Sequence, residues 1–405
     1  MLTVHLLPVL YGDTILIDAF DEGKKINTNI LIDCGFNFES EILPILNKYH
    51  KAGKKLHRFI ITHYDDDHIN SAAKFIKENG SAQRPKIIEI DQVWLNAYKH
   101  LQFEKKKLPV PDENQLNLLR NFIASQKVDT TKKQTEIGAK QASKLGKELL
   151  SQNYSWNEDF NGNAVCIEHA TTIFVNDNVS ITLVGPNKQQ LESIDNEFKK
   201  ALKAQGIKVA DTHFVDDAFE LFIKSLSAKD IETYSGVIKG SIRKPITSEG
   251  IKLIKSEYKP DKRVGNGSSI SFILNADGKK ILMLADAHAE PVMEQLKSLY
   301  PDQPCLFFDA IKVSHHGSFG NNPKELYELI DSANYLISTN GRHPSHMHPD
   351  IETIAFIIHR PLRGTITNRK LIFNYFPKHL ARIFDEDLMK EFNYTAEVSN
   401  ELKLP

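Results

Sequence analysis

Short apolar runs bounded by turn residues open the chain. Leu2-Thr3-Val4-His5-Leu6-Leu7 is followed by a Gly12-Asp13 turn, then by Thr14-Ile15-Leu16-Ile17 and by Ile30-Leu31-Ile32-Asp33, which ends at Gly35. Runs of this length with such boundaries predict paired strands. From Glu39 to Tyr49 the period changes: Ile42, Leu43, Ile45 and Leu46 have helical spacing, and a helix is expected. Arg58-Phe59-Ile60-Ile61-Thr62 then reads as a buried strand, as does Ile181-Thr182-Leu183-Val184 in the middle of the chain. Later, Lys280-Ile281-Leu282-Met283-Leu284-Ala285 runs into Asp286, and Ala310-Ile311-Lys312-Val313-Ser314 runs into His315-His316-Gly317-Ser318. Residues able to do chemistry therefore sit where strands end.

Two stretches interrupt this strand-rich frame. The first, 97–160, has helical patterns such as Thr135 to Leu150, with Ala142, Leu145 and Leu149 on one face. The second, 188–263, is charged and helical at its start, and Ser256-Glu257-Tyr258-Lys259-Pro260-Asp261-Lys262 reads as its flexible end. Both are expected to be helical insertions in a single domain spanning 1–405. No fixed-period repeat and no low-complexity run is present.

Composition narrows the class. Hydrophobic residues make up 41% of the 405, enough for a full core. The formal net charge of −1 supplies no global field toward nucleic acid or a membrane, so any attraction for anions must be local. Residues 99–150 carry eleven Lys and Arg against six Asp and Glu, a local basic excess. Cys34, Cys166 and Cys305 are far apart with no CxxC pair, which excludes a thiolate zinc knuckle and a disulfide framework and suits a reducing compartment, the cytoplasm. The apolar N-terminus has no basic region or cleavage site and reads as a strand, and no run approaches the roughly 20 residues of a membrane span. A soluble protein without membrane contact is expected.

The densest chemistry lies in Thr62-His63-Tyr64-Asp65-Asp66-Asp67-His68. His63, Asp65, Asp67 and His68 are the ligand types that hold divalent metals without thiolates. In an extended segment or tight loop, residues 63, 65 and 67 face one way and His68 follows from the next turn. Taken alone, the cluster also fits a solvated acidic turn with incidental histidines. The distant partners decide between the two.

The run is similar to the HxHxDH signature of the metallo-β-lactamase superfamily, with Asp65 where the second histidine usually stands. That variant resembles the branch containing the nuclease-like domain of bacterial DNA-uptake channel proteins. Further elements follow in the order the resemblance implies: Asn266-Gly267-Ser268-Ser269, Asp286, Lys312 to Ser318, and His348-Pro349. The likeness covers 1–96 and 164–376. It implies an αββα sandwich, two mixed sheets face to face with helices outside, whose strands bring their ligands to one edge. It also implies Asp67 as a ligand and proton acceptor, a shared Asp286, and His348 as a group that contacts substrate or protonates the leaving oxygen. His315 and His316 are both candidate ligands, His315 ahead of His316, because adjacent strand positions cannot readily face one ion. Lys312 is expected to offset substrate charge. His343, His346 and His348 fit either a second metal patch or a polar loop. One departure stands out: the histidine that usually ends the middle strand is replaced by Gly185-Pro186, so the position near His63 and Asp65 lacks a nitrogen ligand and should bind more weakly than that of Asp67, His68 and His315.

One or two divalent ions are therefore expected. The oxygen-rich set puts manganese, magnesium or iron beside zinc. Such ions make a nucleophile of water at neutral pH, with no Ser or Cys needed, and two of them would leave surplus positive charge facing an anionic substrate. Three activities follow. The first is phosphodiester cleavage in DNA or RNA, which the branch resemblance and the basic stretch favour. The second is hydrolysis of a small phosphodiester such as a cyclic nucleotide, or of another ester or amide. The third is a catalytically weak module that binds protein partners through the helical insertions, against which the retention of Asp286 and His315 argues.

Overall fold

Alternate residues along the strands enter different apolar cores, and this alternation builds the molecule in layers. The computed structural model describes residues 1–103, 110–125, 145–208, 213–234, 257–343 and 346–405. In chain order the strands are β1 (Leu2–Leu6), β2 (Ile15–Asp21), β3 (Ile26–Ile32), β4 (Arg58–Ile60), β5 (Val93–Trp94), β6 (Thr172–Asn176), β7 (Val179–Gly185) and β8 (Ser271–Ala276). They continue with β9 (Lys279–Met283), β10 (Leu306–Phe308), β11 (Ala310–Lys312), β12 (Ile330–Ser332), β13 (Asn334–Ile337), β14 (Arg369–Phe373), β15 (Tyr394–Val398) and β16 (Glu401–Leu404).

Of the two large sheets, one has six strands in the order β16-β1-β2-β3-β4-β5 and the other eight in the order β15-β14-β13-β11-β9-β8-β7-β6, while β10 and β12 pair in a separate two-stranded sheet. Ile15 and Ile17 of β2, Phe272 and Leu274 of β8, and Ile281 and Met283 of β9 meet in a core between the sheets. Their neighbours point outward. Leu16 joins Leu46, Phe75 and Ile76 under the helices Leu43–Lys51 and Ala72–Asn79, while Ile273 and Leu282 join Val292, Leu296 and Ile354 under Ala289–Leu299 and Ile351–Ile358. Both sheet faces are covered, which is why these strands read as nearly continuous apolar runs. The fold is an αββα sandwich.

Within each sheet the direction of pairing changes. β1, β2 and β3 form an antiparallel meander, and β4 and β5 then add parallel to β3. β6 to β9 are antiparallel, whereas β9, β11, β13, β14 and β15 run parallel. A parallel pair needs a crossover, supplied here by helices on the outer faces.

The two intervening stretches are helical where they are described. Glu113–Ser125, Leu145–Ser151 and His213–Tyr234 join the outer core beside the six-stranded sheet through Leu119, Phe122, Leu145, Leu149, Phe219 and Ile223. Residues 135–144 of the expected Thr135 to Leu150 helix, and Lys105 to Lys107, lie outside the described residues. Where the sequence reads as a flexible end, Glu257 to Lys262 is held: the Asp261 amide donates to Gly320 O at 2.9 Å, and Tyr258 Oη donates to Glu290 at 2.9 Å. Pro and Lys composition marks a loop, but tertiary contacts pin this one. Among the described residues no helix is long and apolar enough to cross a membrane.

Candidate metal centre

Parallel strands discharge their following residues at one edge, and here both sheets do so at the same edge. Asp33 follows β3, Thr62 and His63 follow β4, Asp286 follows β9, His315 and His316 follow β11, and Ser338 follows β13. The Gly12-Asp13 turn before the antiparallel β2 reaches that edge from the other direction. Backbone hydrogen bonds fasten these exits: Asp13 N to Asp67 O at 3.0 Å, Cys34 N to His68 O at 2.7 Å, and Ile270 N to Thr62 O at 3.0 Å. Ser338 Oγ ties the eight-stranded sheet to Gly12 O at 3.0 Å. An ideal Cβ on Gly12 would lie 2.1 Å from Asp67 O, so the close approach of the turn to the motif requires glycine there.

The motif itself is extended to Asp65 and then makes one helical turn, Asp66–Ile69. Asp67 and His68 thereby face the cluster, whereas Asp66 looks away toward Lys224 at 3.8 Å. Asp286 sits at the centre, 1% exposed. Its Oδ1 is 3.4 Å from His68 Nε2, and its Oδ2 is 3.7 Å from His63 Nε2 and 3.6 Å from His315 Nε2. His63 Nε2 is 3.9 Å from Asp65, and His316 Nε2 is 3.1 Å from Asp67. Asp13, His68, Asp286 and His316 offer ligand atoms all within 4.8 Å of one another, as separately do His315, His346 and His348.

The outward nitrogens are fixed. His68 Nδ1 donates to Asp33 at 2.7 Å, His316 Nδ1 to Ser338 O at 2.6 Å, His315 Nδ1 to Asn321 Oδ1 at 2.7 Å, and His63 Nδ1 lies 3.0 Å from Thr62 Oγ1. Asp33 in turn accepts from Thr62 N and Oγ1. Pinning Nδ1–H sets the tautomer that turns an Nε2 lone pair inward, the arrangement in which imidazoles ligate metals. His63 Nε2, His68 Nε2, Asp286 Oδ1 and Asp13 Oδ1 are buried without hydrogen-bond partners. Such orphaned atoms are costly unless a cation meets them.

The electrostatics agree. Burial opposes a charge on His68, yet Asp286, Asp67 and Asp33 outweigh it and hold the ring well above the ordinary histidine range. Burial likewise opposes the Asp286 charge, but His315 and His68 keep its carboxyl well below the usual value. Around His315 the balance is reversed: burial, with Arg263 adding to it, pushes the ring down to about 3.

The structure brings together His63, Asp65, Asp67, His68, Asp286, His315 and His316. His315 and His316 reach the cluster as a pair because they lie in a tight turn with φ of 45° and 53°, not on the strand. The geometry puts His316, rather than His315, with Asp67 and His68. His348 stands beyond His315, with ring centroids 5.2 Å apart and Nδ1 3.5 Å from Asp350. Lys312 is elsewhere than expected: it is 1% exposed, and its ammonium lies 2.8 Å from Asp13, where it supports the cluster from behind and cannot face substrate. Gly185 leaves no room for a ligand, since a Cβ there would come within 2.7 Å of Ser271 Oγ.

Four residues of the site were not found in the sequence. Asp13 reads there as half of a turn, and Asp33 as the end of a strand. Asp261 and Arg263 fall in the stretch read as flexible. Arg263 Nη2 lies 2.9 Å from His315 Nε2, and its Nε and Nη2 pair with the Asp261 carboxylate at 3.1 Å each. The donor set of Asp13, His68, Asp286 and His316, with Asp67 beside it, fits a divalent ion. Beside His63 and Asp65, Gly185 provides no donor, and Arg263 stands at His315.

No curated protein matches the chain. Residues 8–144, the part that carries Asp13, Asp33 and the whole His63 to His68 run, match the Metallo-beta-lactamase superfamily, and the αββα sandwich with its ligand-bearing edge is a fold of that kind.

Proposed function

We propose that the protein is a metal-dependent hydrolase that cleaves phosphodiesters with a water nucleophile, in the manner of a nuclease. The observation that carries this reading is the set of imidazoles whose Nδ1 atoms are pinned outward and whose Nε2 atoms gather round Asp286, beside a fixed guanidinium. A divalent ion held there supplies Lewis acidity and brings the pKa of water from 15.7 to roughly 7 in the case of zinc. Asp13, His68, Asp286 and His316, with Asp67 beside them, would hold that ion, and Asp33 orients His68. The Asp67 carboxylate, 18% exposed, accepts the proton of the attacking water. His348, next to Asp350, delivers a proton to the leaving oxygen. No serine or cysteine is required, and no covalent enzyme intermediate forms. The oxygen-rich donors make manganese and magnesium as suitable as zinc.

The second insertion borders this edge, with Phe219 packed edge-on against Tyr64 at 5.8 Å and Lys224 near Asp66. From beside the motif it would shape which anions enter, DNA or RNA among them, or offer a face to a protein partner. Part of the basic excess serves packing instead: Lys99 lies 3.8 Å over the Trp156 ring.

The test is hydrolysis of single-stranded DNA, duplex DNA, RNA, a cyclic dinucleotide and bis(p-nitrophenyl) phosphate, each with manganese, magnesium and zinc. Cleavage of a phosphodiester that is lost in Asp67→Ala, with melting temperature retained, is the expected result. A metal-loaded protein inert toward all of these substrates would overturn the reading.

A further inference from the structure

Arg263 occupies ground where a two-ion centre would need open ligands. We propose that its guanidinium takes the place of a second metal ion, so that the protein holds a single divalent ion beside a permanent organic cation. Three observations converge on this.

The first is the state of His315. Its Nδ1 donates to Asn321, so Nε2 is the one nitrogen left for a metal, and Arg263 Nη2 lies over the ring, 2.9 Å from Nε2 and 3.1 Å from Nδ1. A metal at that nitrogen would stand directly beside the guanidinium charge.

The second is how firmly Arg263 is held. Asp261 grips Nε and Nη2 with its two oxygens and also accepts from the Arg263 amide at 3.0 Å. Asp261 is itself fixed by Asn266 Nδ2 at 2.7 Å and, through its amide, by Gly320 O. His288 Nε2 donates to Arg263 O at 3.0 Å. With its side chain 18% exposed and anchored at three points, Arg263 is built into the wall rather than resting on it. A planar fork on a carboxylate is a pre-organised pair that gives up its geometry reluctantly.

The third is the opposite wall. Gly185 ends β7 without a side chain, and Ser271 Oγ fills the space a Cβ would take. Two donor groups remain for a second ion, His63 Nε2 with Asp65 and an oxygen of Asp286, and His315 with His346 and His348, and both lie close to a cation that repels it. Asp65 and Asp286 already stabilise the charged Arg263.

The proposal depends on the hydrolase reading only for the presence of the first ion, and the experiment counts metal without substrate. Protein stripped with chelator and dialysed against manganese should retain one ion per chain by elemental analysis. Its low-temperature EPR spectrum should show isolated Mn(II) with no exchange-coupled pair. Arg263→Met, and as a second variant Arg263→Gln, removes the charge beside His315, and should raise the count to two with a coupled signal. Two ions in the unaltered protein, or none, overturns the proposal. One ion in both the unaltered protein and a folded Arg263 variant also overturns it, because Arg263 would not then be what excludes the second. A protein that binds one ion yet cleaves no phosphodiester sinks the functional reading and leaves this one standing. One that cleaves with two ions does the reverse.

Discussion

Replacing Asp33 by Asn changes one oxygen to an NH2 group on the far side of the His68 ring from the metal position, and its effect follows from the contacts. Asp33 is 1% exposed and takes hydrogen bonds from Thr62 N at 2.7 Å, Thr62 Oγ1 at 2.8 Å and His68 Nδ1 at 2.7 Å. An asparagine can keep its carbonyl on Thr62, and its NH2 then faces His68 Nδ1. Two donors cannot share that line, so the imidazole proton moves to Nε2, the atom that should ligate. Loss of such an orienting partner typically lowers metal affinity by about 10- to 100-fold, which is roughly 1.4–2.7 kcal/mol. The metal-free fold also loses a charged hydrogen bond, worth about 1.5–3 kcal/mol. Calorimetric titration with manganese measures the first quantity, and urea unfolding of the metal-free protein measures the second. A metal affinity within twofold of the unaltered protein would refute the assignment of His68 Nε2 as a ligand and of Asp33 as the residue that orients it.

Gly12→Ala should abolish metal binding and lower stability by about 2–4 kcal/mol, because its Cβ would overlap Asp67 O and push the motif off the edge; thermal melts with and without metal would show a lower Tm and no metal-induced shift. Asp331, fully buried between Arg369 at 2.8 Å and Arg360 at 2.9 Å, should cost about 3–5 kcal/mol when changed to Asn, measured by urea unfolding. Burial alone would raise the Asp331 carboxyl, but Arg369 and Arg360 hold it below the usual range. Its contribution is therefore complete above about pH 4 and is lost as pH falls through the folded value, so the variant should show a shallower acid limb below about pH 4. A guanidinium brings one positive charge where an ion would bring two, so the site suits the monoanion of a phosphodiester better than a dianionic monoester. Steady-state kcat/KM for bis(p-nitrophenyl) phosphate should accordingly exceed that for p-nitrophenyl phosphate by about tenfold or more, and equal values would remove the argument from charge.

The local order of the chain and its metal-ligand types were legible without coordinates. Short apolar runs marked β1 to β4, β9 and β11, since a strand buried on both faces needs nothing else to declare itself. His63, Asp65, Asp67, His68, Asp286 and the His315-His316 pair stood out because their residue types and strand-exit positions are rare in combination. Long-range pairing decided everything else. Asp13 and Asp33 are ordinary turn and strand-end residues until β2 and β3 bring them to the edge shared with β9 and β11. The choice between His315 and His316 turned on positive φ angles that no strand pattern encodes. Lys312 looked like a group for substrate, and became an internal partner of Asp13 once both were buried. Arg263 and Asp261, in a segment that composition marks as loose, are fixed by Gly320, Asn266 and Asn321, contacts 5 to 60 residues away. Which cation stands beside His315 is a property of those distant contacts, because Arg263 reaches the ring only through its hold on Asp261, and only the folded chain determines that.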